Sequence, residues 1–180
     1  MFFKITSFLL DVAAGLLGGA CLLRMYMQYQ RVPFGNPVGR FIFALTDWIV
    51  LPLRKVLPGT KKWDLSSVLA AYLIELAQFG LLALMLGRGY GYVPVLALFG
   101  LVRLAISGAI GLVIVFAILS WVQADSPIVD VIDRVTSPLL RPFRKIIPLV
   151  GGFDLSPLAL LVLLQVAAIV VANLQDAVLR

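Results

Sequence analysis

Residues 92–122 read YVPVLALFGLVRLAISGAIGLVIVFAILSWV, a run broken by a single charge, Arg103. A helix crosses ~30 Å of hydrocarbon with about 20 apolar residues, so this run is more than long enough and must tilt or begin late. Three more runs of that kind flank it: Ile5–Met27, interrupted by Asp11; Leu65–Leu86, interrupted by Glu75 and Gln78; and Pro157–Leu174, holding Gln165 and Asn173. The reading is an all-α integral membrane protein with four transmembrane helices. Composition agrees, since 62% of the 180 residues are hydrophobic, 13% are charged and the mean hydropathy is +1.05. Soluble domains carry about 25% charged residues, so neither a soluble domain nor a disordered chain fits.

The chain has no His and one Cys, Cys21. That removes Ser–His, zinc-hydrolase and bis-His haem chemistry, and leaves no internal disulfide or CxxC pair. Cys21, flanked by apolar residues, reads as a small packing residue. No nucleophile–base pair, metal cluster or phosphate loop stands out, so neither an enzyme nor a cofactor is expected. The first run is read as a retained helix rather than a cleaved signal, because Asp11 interrupts its apolar stretch.

Basic residues decide orientation, because Lys- and Arg-rich loops stay cytoplasmic. Residues 24–64 carry Arg24, Arg31, Arg40, Arg54, Lys55, Lys61 and Lys62, and residues 122–156 carry Arg134, Arg141, Arg144 and Lys145. Both termini and the Gly87–Gly91 turn are then expected outside. The pI of about 9.8 follows from this topology, and no nucleic-acid partner is expected.

A duplication organises the chain into repeats at 1–90 and 91–180. Sliding by 90 positions pairs Ile42/Ile132, Thr46/Thr136, Pro52/Pro142, Arg54/Arg144, Lys55/Lys145, Pro58/Pro148 and Asp64/Asp154 without a gap. Upstream the register is 92, where Met27-Gln28-Tyr29 meets Leu119-Ser120-Trp121. Each half is helix, basic segment, helix. With both basic segments on one side, the halves are parallel repeats about an axis normal to the membrane.

The basic segments are predicted to be amphipathic helices. Asn36-Pro37 and Ser126-Pro127 each place a capping residue before a proline at the first helical position. Phe41, Ile42, Leu45 and Ile49, and likewise Val131, Ile132, Val135 and Leu139, then fall on one helical face. Basic ends and an apolar face suit the membrane interface, with Trp48, Trp63 and Trp121 as headgroup-level anchors.

The stretch Ser137-Pro138-Leu139-Leu140-Arg141-Pro142-Phe143-Arg144-Lys145-Ile146-Ile147-Pro148, followed by Gly151-Gly152-Phe153-Asp154-Leu155-Ser156-Pro157, resembles the signature of the YggT family. The first repeat departs from it, with Trp48 for the first proline, Leu51 for the arginine before Pro52, and Gly59-Thr60-Lys61-Lys62 for the Gly-Gly stretch. The resemblance implies a small multi-pass protein of the bacterial cytoplasmic membrane. It also implies ties to cell division and nucleoid distribution, to osmotic or potassium tolerance, or to complex assembly. If the motif has a task, the second repeat is expected to perform it.

Each candidate residue has a functional and a structural reading. Arg54, Lys55, Arg141, Arg144 and Lys145, framed by Pro138, Pro142 and Pro148, could grip anionic headgroups or a membrane-protein partner, or simply set topology. Asp64 and Asp154 precede Leu-Ser and read first as helix N-caps. Glu75 and Gln165, equivalent at the 90 shift, sit mid-membrane and suit an interhelical hydrogen bond more than an ion path. The 92 shift sets Asp11 against Arg103, Gly15 against Ser107, and Gly19 against Gly111. The expectation is that the first and third spanning helices cross along these small faces with an intramembrane Asp11–Arg103 ion pair. The alternative is that Arg103 snorkels outward or pairs with Glu75 and that the small faces build a homo-oligomer instead. A non-catalytic scaffold or assembly factor is the leading functional expectation, and ion or solute transport the second.

Topology is directly measurable. A reporter fused after Arg180 or inserted at Gly89 should behave as extracytoplasmic, and one at Lys61 or Val150 as cytoplasmic. Cytoplasmic activity at Gly89 would invert the placement of both basic segments.

Overall fold

The computed structural model describes residues 2–57, 63–87, 89–122, 126–147 and 154–179. Its helices are α1 (Phe2–Tyr29), α2 (Pro37–Val56), α3 (Leu65–Met85), α4 (Val93–Val122), α5 (Pro127–Arg144) and α6 (Ser156–Val178), with a short 3₁₀ turn at Tyr90–Tyr92 before α4. No strand occurs among the described residues. α1, α3, α4 and α6 are long and apolar enough to cross a bilayer, at the four places the apolar runs predict. Their exposed surfaces are apolar too, as at Phe8, Leu84, Leu98 and Leu158, which is what a lipid solvent permits.

Local chemistry sets the helix ends. Asn36 accepts a 2.8 Å bond from the Gly39 amide and Pro37 occupies the first turn, as its capping role predicts. A Cβ at Gly39 would lie 2.3 Å from the Phe34 carbonyl oxygen, so only glycine lets the incoming chain fold back there. Ser126 makes no equivalent side-chain cap. α1 stops at Arg31, whose φ of 55° is left-handed, while the Val32 amide bonds back to the Met27 carbonyl at 2.9 Å. This is the geometry usually given to glycine, and buried Val32 holds it by packing on Met27. Pro52 lies inside α2, and Pro138 and Pro142 inside α5. Having no N–H, they leave the carbonyls of Trp48, Arg134 and Pro138 without their helical donors.

Both repeats follow one plan. α1 packs on α3 as α4 does on α6, and α2 and α5 each lie across the ends of their own pair. The repeats join where Met27, Val32 and Ile42 meet Val131 and Val135, and the Tyr26 hydroxyl donates to the Val135 carbonyl at 3.0 Å. The duplication is not packed symmetrically, however. α3 lies along α4, whereas the equivalent pairing of α6 with α1 is at most marginal among the described residues.

The amphipathic faces are rotated from the sequence expectation in α2. Ile42, Thr46 and Val50 are buried there and Phe41 is 59% exposed; Thr46 turns inward because a buried donor awaits it. In α5, Val131, Ile132 and Val135 are buried as predicted, joined by Thr136 and Leu140. Trp48 and Trp63 are exposed, consistent with anchoring at headgroup depth.

Val135 is fully buried at the junction of the repeats. Val135→Asp forfeits about 1.5–3 kcal/mol of burial and adds the cost of an unpaired buried charge. Arg134→Asp, one position away on the exposed face, should change stability by less than about 0.5 kcal/mol. Equal losses in detergent unfolding would show that α5 has no buried face.

Candidate functional site

The most developed polar site lies where α1, α2 and α3 of the first repeat converge. Arg24 is buried to 2% exposure inside a largely apolar helix, a position that is costly without partners. α2 supplies two of them: Arg24 Nη1 donates to Thr46 Oγ1 at 2.6 Å and to Asp47 Oδ1 at 2.7 Å. The Phe43 ring lies beneath, 4.6 Å from the guanidinium carbon. Asp64, wholly buried at the start of α3, stands 3.8 Å from Arg24 Nε.

Asp64 is the centre of a second set of bonds. Arg54 Nη2 donates to Asp64 Oδ2 at 2.5 Å and to Gln28 Oε1 at 3.3 Å. Ser67 donates its hydroxyl at 2.7 Å and its amide at 3.3 Å, so the N-cap expected of Asp64 is present within a larger network. Burial works to raise the Asp64 carboxyl, but the hydrogen bonds from Arg54 and Ser67 and the Arg54 charge outweigh it and hold it below the usual carboxylate range. Two guanidinium groups therefore face two carboxylates, and the network is electrically neutral.

The second repeat keeps half of this. Arg144 Nε donates to Asp154 Oδ2 at 2.8 Å, and Asp154 Oδ1 accepts the Ser156 amide at 2.9 Å. The counterpart of Arg24 is Phe116, and Arg144 lies over its ring at 5.5 Å. Thr136, the match of Thr46, is buried with no partner for its hydroxyl among the described residues. Where Asp64 is sealed, the Asp154 side chain is 25% exposed. Arg141, Lys145, Lys55 and Pro142 are exposed and Pro138 is half-buried, while Pro148 lies outside the described residues.

The intramembrane polar residues pair differently from the sequence expectation. Asp11 accepts a hydrogen bond from Gln78 of α3, and Arg103 donates to Gln175 of α6 at 3.4 Å. The Asp11–Arg103 ion pair is not formed: each residue turns to its own repeat, Asp11 toward α3 and Arg103 toward α6. Of the small faces only Gly19 comes near α4, where an added Cβ would lie 3.9 Å from Leu104 Cδ1. α1 touches α4 at Gly18, where an added Cβ would sit 2.7 Å from Leu104 Cδ2. A Cβ at Gly15 or Gly111 would meet nothing within 4 Å, and Ser107 is exposed. Glu75 is buried at 5% exposure and its carboxylate lies against α4 at Gly100, where a Cβ would come within 2.2 Å of Glu75 Oε2. Its repeat partner Gln165 is exposed instead.

Sequence reasoning noted Arg24, Thr46 and Gln78 but gave neither them nor Asp47 a place in a site. The available signals were a lone arginine near the end of an apolar helix, and an Asp beside a Thr one helical turn from a buried isoleucine. Cys21 is buried among Val50, Ala70 and Ala71, in the packing role expected of it.

The model of the family described as CCB3/YggT matches residues 3–85 and again 95–175, one match for each repeat. The chain is 37% identical over 175 residues to a protein named "Uncharacterized protein YggT" from Escherichia coli strain K12, covering 95% of this chain and 91% of that one. It is 35% identical over 166 residues to "Uncharacterized protein in proC 3'region" of Vibrio alginolyticus, covering 89% and 90% of the two chains. No solved structure matches it.

Arg24→Leu should lower stability by about 3–5 kcal/mol, the usual loss when a buried ionic contact is left one-sided. Arg144→Leu, in a pair whose arginine side chain is 37% exposed, should cost less than about 1 kcal/mol. Because the Asp64 carboxyl is depressed on folding, its contribution is present above its unfolded pKa of about 3.9 and lost as pH falls through its native value. Unfolding measured from pH 7 to pH 3 should show Asp64→Asn less stable at pH 7 and less sensitive to acid. Parallel pH profiles for the two proteins would refute the assignment.

Proposed function

The chain belongs to the CCB3/YggT family, and from that premise we propose that it is a non-catalytic scaffold or assembly factor of the bacterial cytoplasmic membrane. The observation that carries this reading is the joined layer of α2 and α5. Its inner face is locked by the Arg24 network and by Tyr26. Its outer residues Arg40, Lys55, Arg134, Arg141 and Lys145 are exposed and take part in none of the ion pairs among the described residues. A fixed, unpaired basic surface suits anionic lipid headgroups and the acidic surface of a membrane-protein partner.

In this reading the basic layer faces the cytoplasm and both termini face outward. The second repeat is the recognition half, because its Asp154 is partly exposed where Asp64 is wholly buried. Roles in division, nucleoid distribution or the building of membrane complexes are the family-level settings such a scaffold would serve.

The buried Glu75, near the Asp11–Gln78 bond, favours a second reading, ion or solute transport. Two measurements separate them. Crosslinking in native membranes should capture a membrane-protein partner that Arg141→Glu/Lys145→Glu releases, and purified protein in liposomes should conduct no potassium or proton flux. Flux abolished by Glu75→Gln would establish transport and overturn the scaffold.

A further inference from the structure

α1 and α4 touch at Gly18 and Leu104 and then part toward the α2–α5 layer, leaving an apolar groove of about 510 Å³. Gly15 and Gly19 line one wall, Gly108 and Gly111 the other, and Phe41 of α2 and Leu139 of α5 close its end. It opens where a symmetric duplication would seat α6 against α1. Its volume falls in the range of about 300–1,000 Å³ typical of small-ligand sites.

Length distinguishes between occupants. The α1 lining runs from Gly15 to Tyr26, about 16 Å at ~1.5 Å per residue, or half of a ~30 Å hydrocarbon core. A helix from a second copy would need a seat through both leaflets, whereas one acyl chain occupies one leaflet. Charge points the same way. Arg40 immediately precedes Phe41, and Arg141 follows Leu139 by two positions. Both arginines are exposed and unpaired among the described residues. Guanidinium groups carried one and two residues from the side chains that close an apolar groove suit a phosphate diester, which they can bind through paired N–H donors.

We propose that the groove holds one acyl chain of an anionic phospholipid from the leaflet beside α2 and α5, with the phosphate gripped by Arg40 and Arg141. This deepens the scaffold reading, resting on its placement of α2 and α5 at headgroup depth, and makes a bound lipid the wedge that fills the gap between the repeats.

The test is native mass spectrometry of the full chain in detergent, equilibrated with equal amounts of phosphatidylglycerol and phosphatidylcholine. The wild type should retain one phosphatidylglycerol per chain. Gly108→Leu, placed where a Cβ meets nothing within 4 Å, should reduce retention about tenfold. Gly80→Leu, equally unobstructed but on α3 outside the groove, should leave retention unchanged. Arg40→Gln/Arg141→Gln should bind both lipids equally. If Gly108→Leu does not fold, Gly15→Leu on the opposite wall gives the same readout. Wild-type retention in the filled groove, or an anionic preference that survives loss of both arginines, would overturn the proposal. So would a dimer that Gly108→Leu converts to monomer, which would assign the groove to a second copy. None of these outcomes depends on partner capture or flux, so this proposal and the scaffold reading can fail separately.

Discussion

A buried guanidinium near the end of a membrane helix is tolerable only when fully neutralised, and Arg24 is neutralised from two directions. Thr46 and Asp47 come from α2 and Asp64 from the start of α3. One side chain thereby dictates how far α2 rolls, where α3 begins and how α1 is rotated. Arg54 and Ser67 then bind the same Asp64, so the turn between α2 and α3 inherits its geometry from the Arg24 site. Buried ion pairs often contribute little net stability over apolar packing. Their effect is on uniqueness: in a bundle whose faces are nearly all apolar, a charge that accepts a single set of partners selects a single arrangement.

The second repeat shows what happens when that constraint is lifted. Phe116 replaces the arginine, and apolar packing by Val113, Phe116, Ile132, Leu140 and Leu160 takes over. Outside such a network Asp154 is 25% exposed where Asp64 is sealed, while Arg144 and Arg54 are equally exposed. The two repeats share one scaffold and differ at a buried position, where the first holds Arg24 with its polar network and the second holds Phe116 with an apolar cluster.

Much of the fold was legible in the sequence because water and lipid make opposite demands on backbone and side chains. Apolar runs of spanning length marked α1, α3, α4 and α6, and Asn36-Pro37 marked the start of α2. The failures share one cause. α4 is apolar on every side, so the sequence carries no amphipathic signal to say which way Gly111 or Arg103 turns. Register at the 92 shift aligns Asp11 with Arg103 in sequence, but equivalence under a two-fold is not contact. Thr46 was not counted in the buried face of α2, because the donor that draws it inward, Arg24, sits on another helix. The candidate site was legible only in part: Arg54, Asp64, Arg144 and Asp154 stood out through repetition, whereas Arg24 has no repeat partner to announce it.

The prolines inside α2 and α5 act as a depth gauge. Each carbonyl deprived of its helical donor, at Trp48, Arg134 and Pro138, would cost several kcal/mol in hydrocarbon and nothing beside water or headgroups. Placed at headgroup depth, the α2–α5 layer would resist sinking when the bilayer thickens or thins. Any mismatch would then be taken up by the spanning helices. α4, at 30 residues and about 45 Å, has the length to do so by tilting. A layer fixed in depth above helices free to tilt would turn changes in membrane thickness into changes in the angle between the repeats.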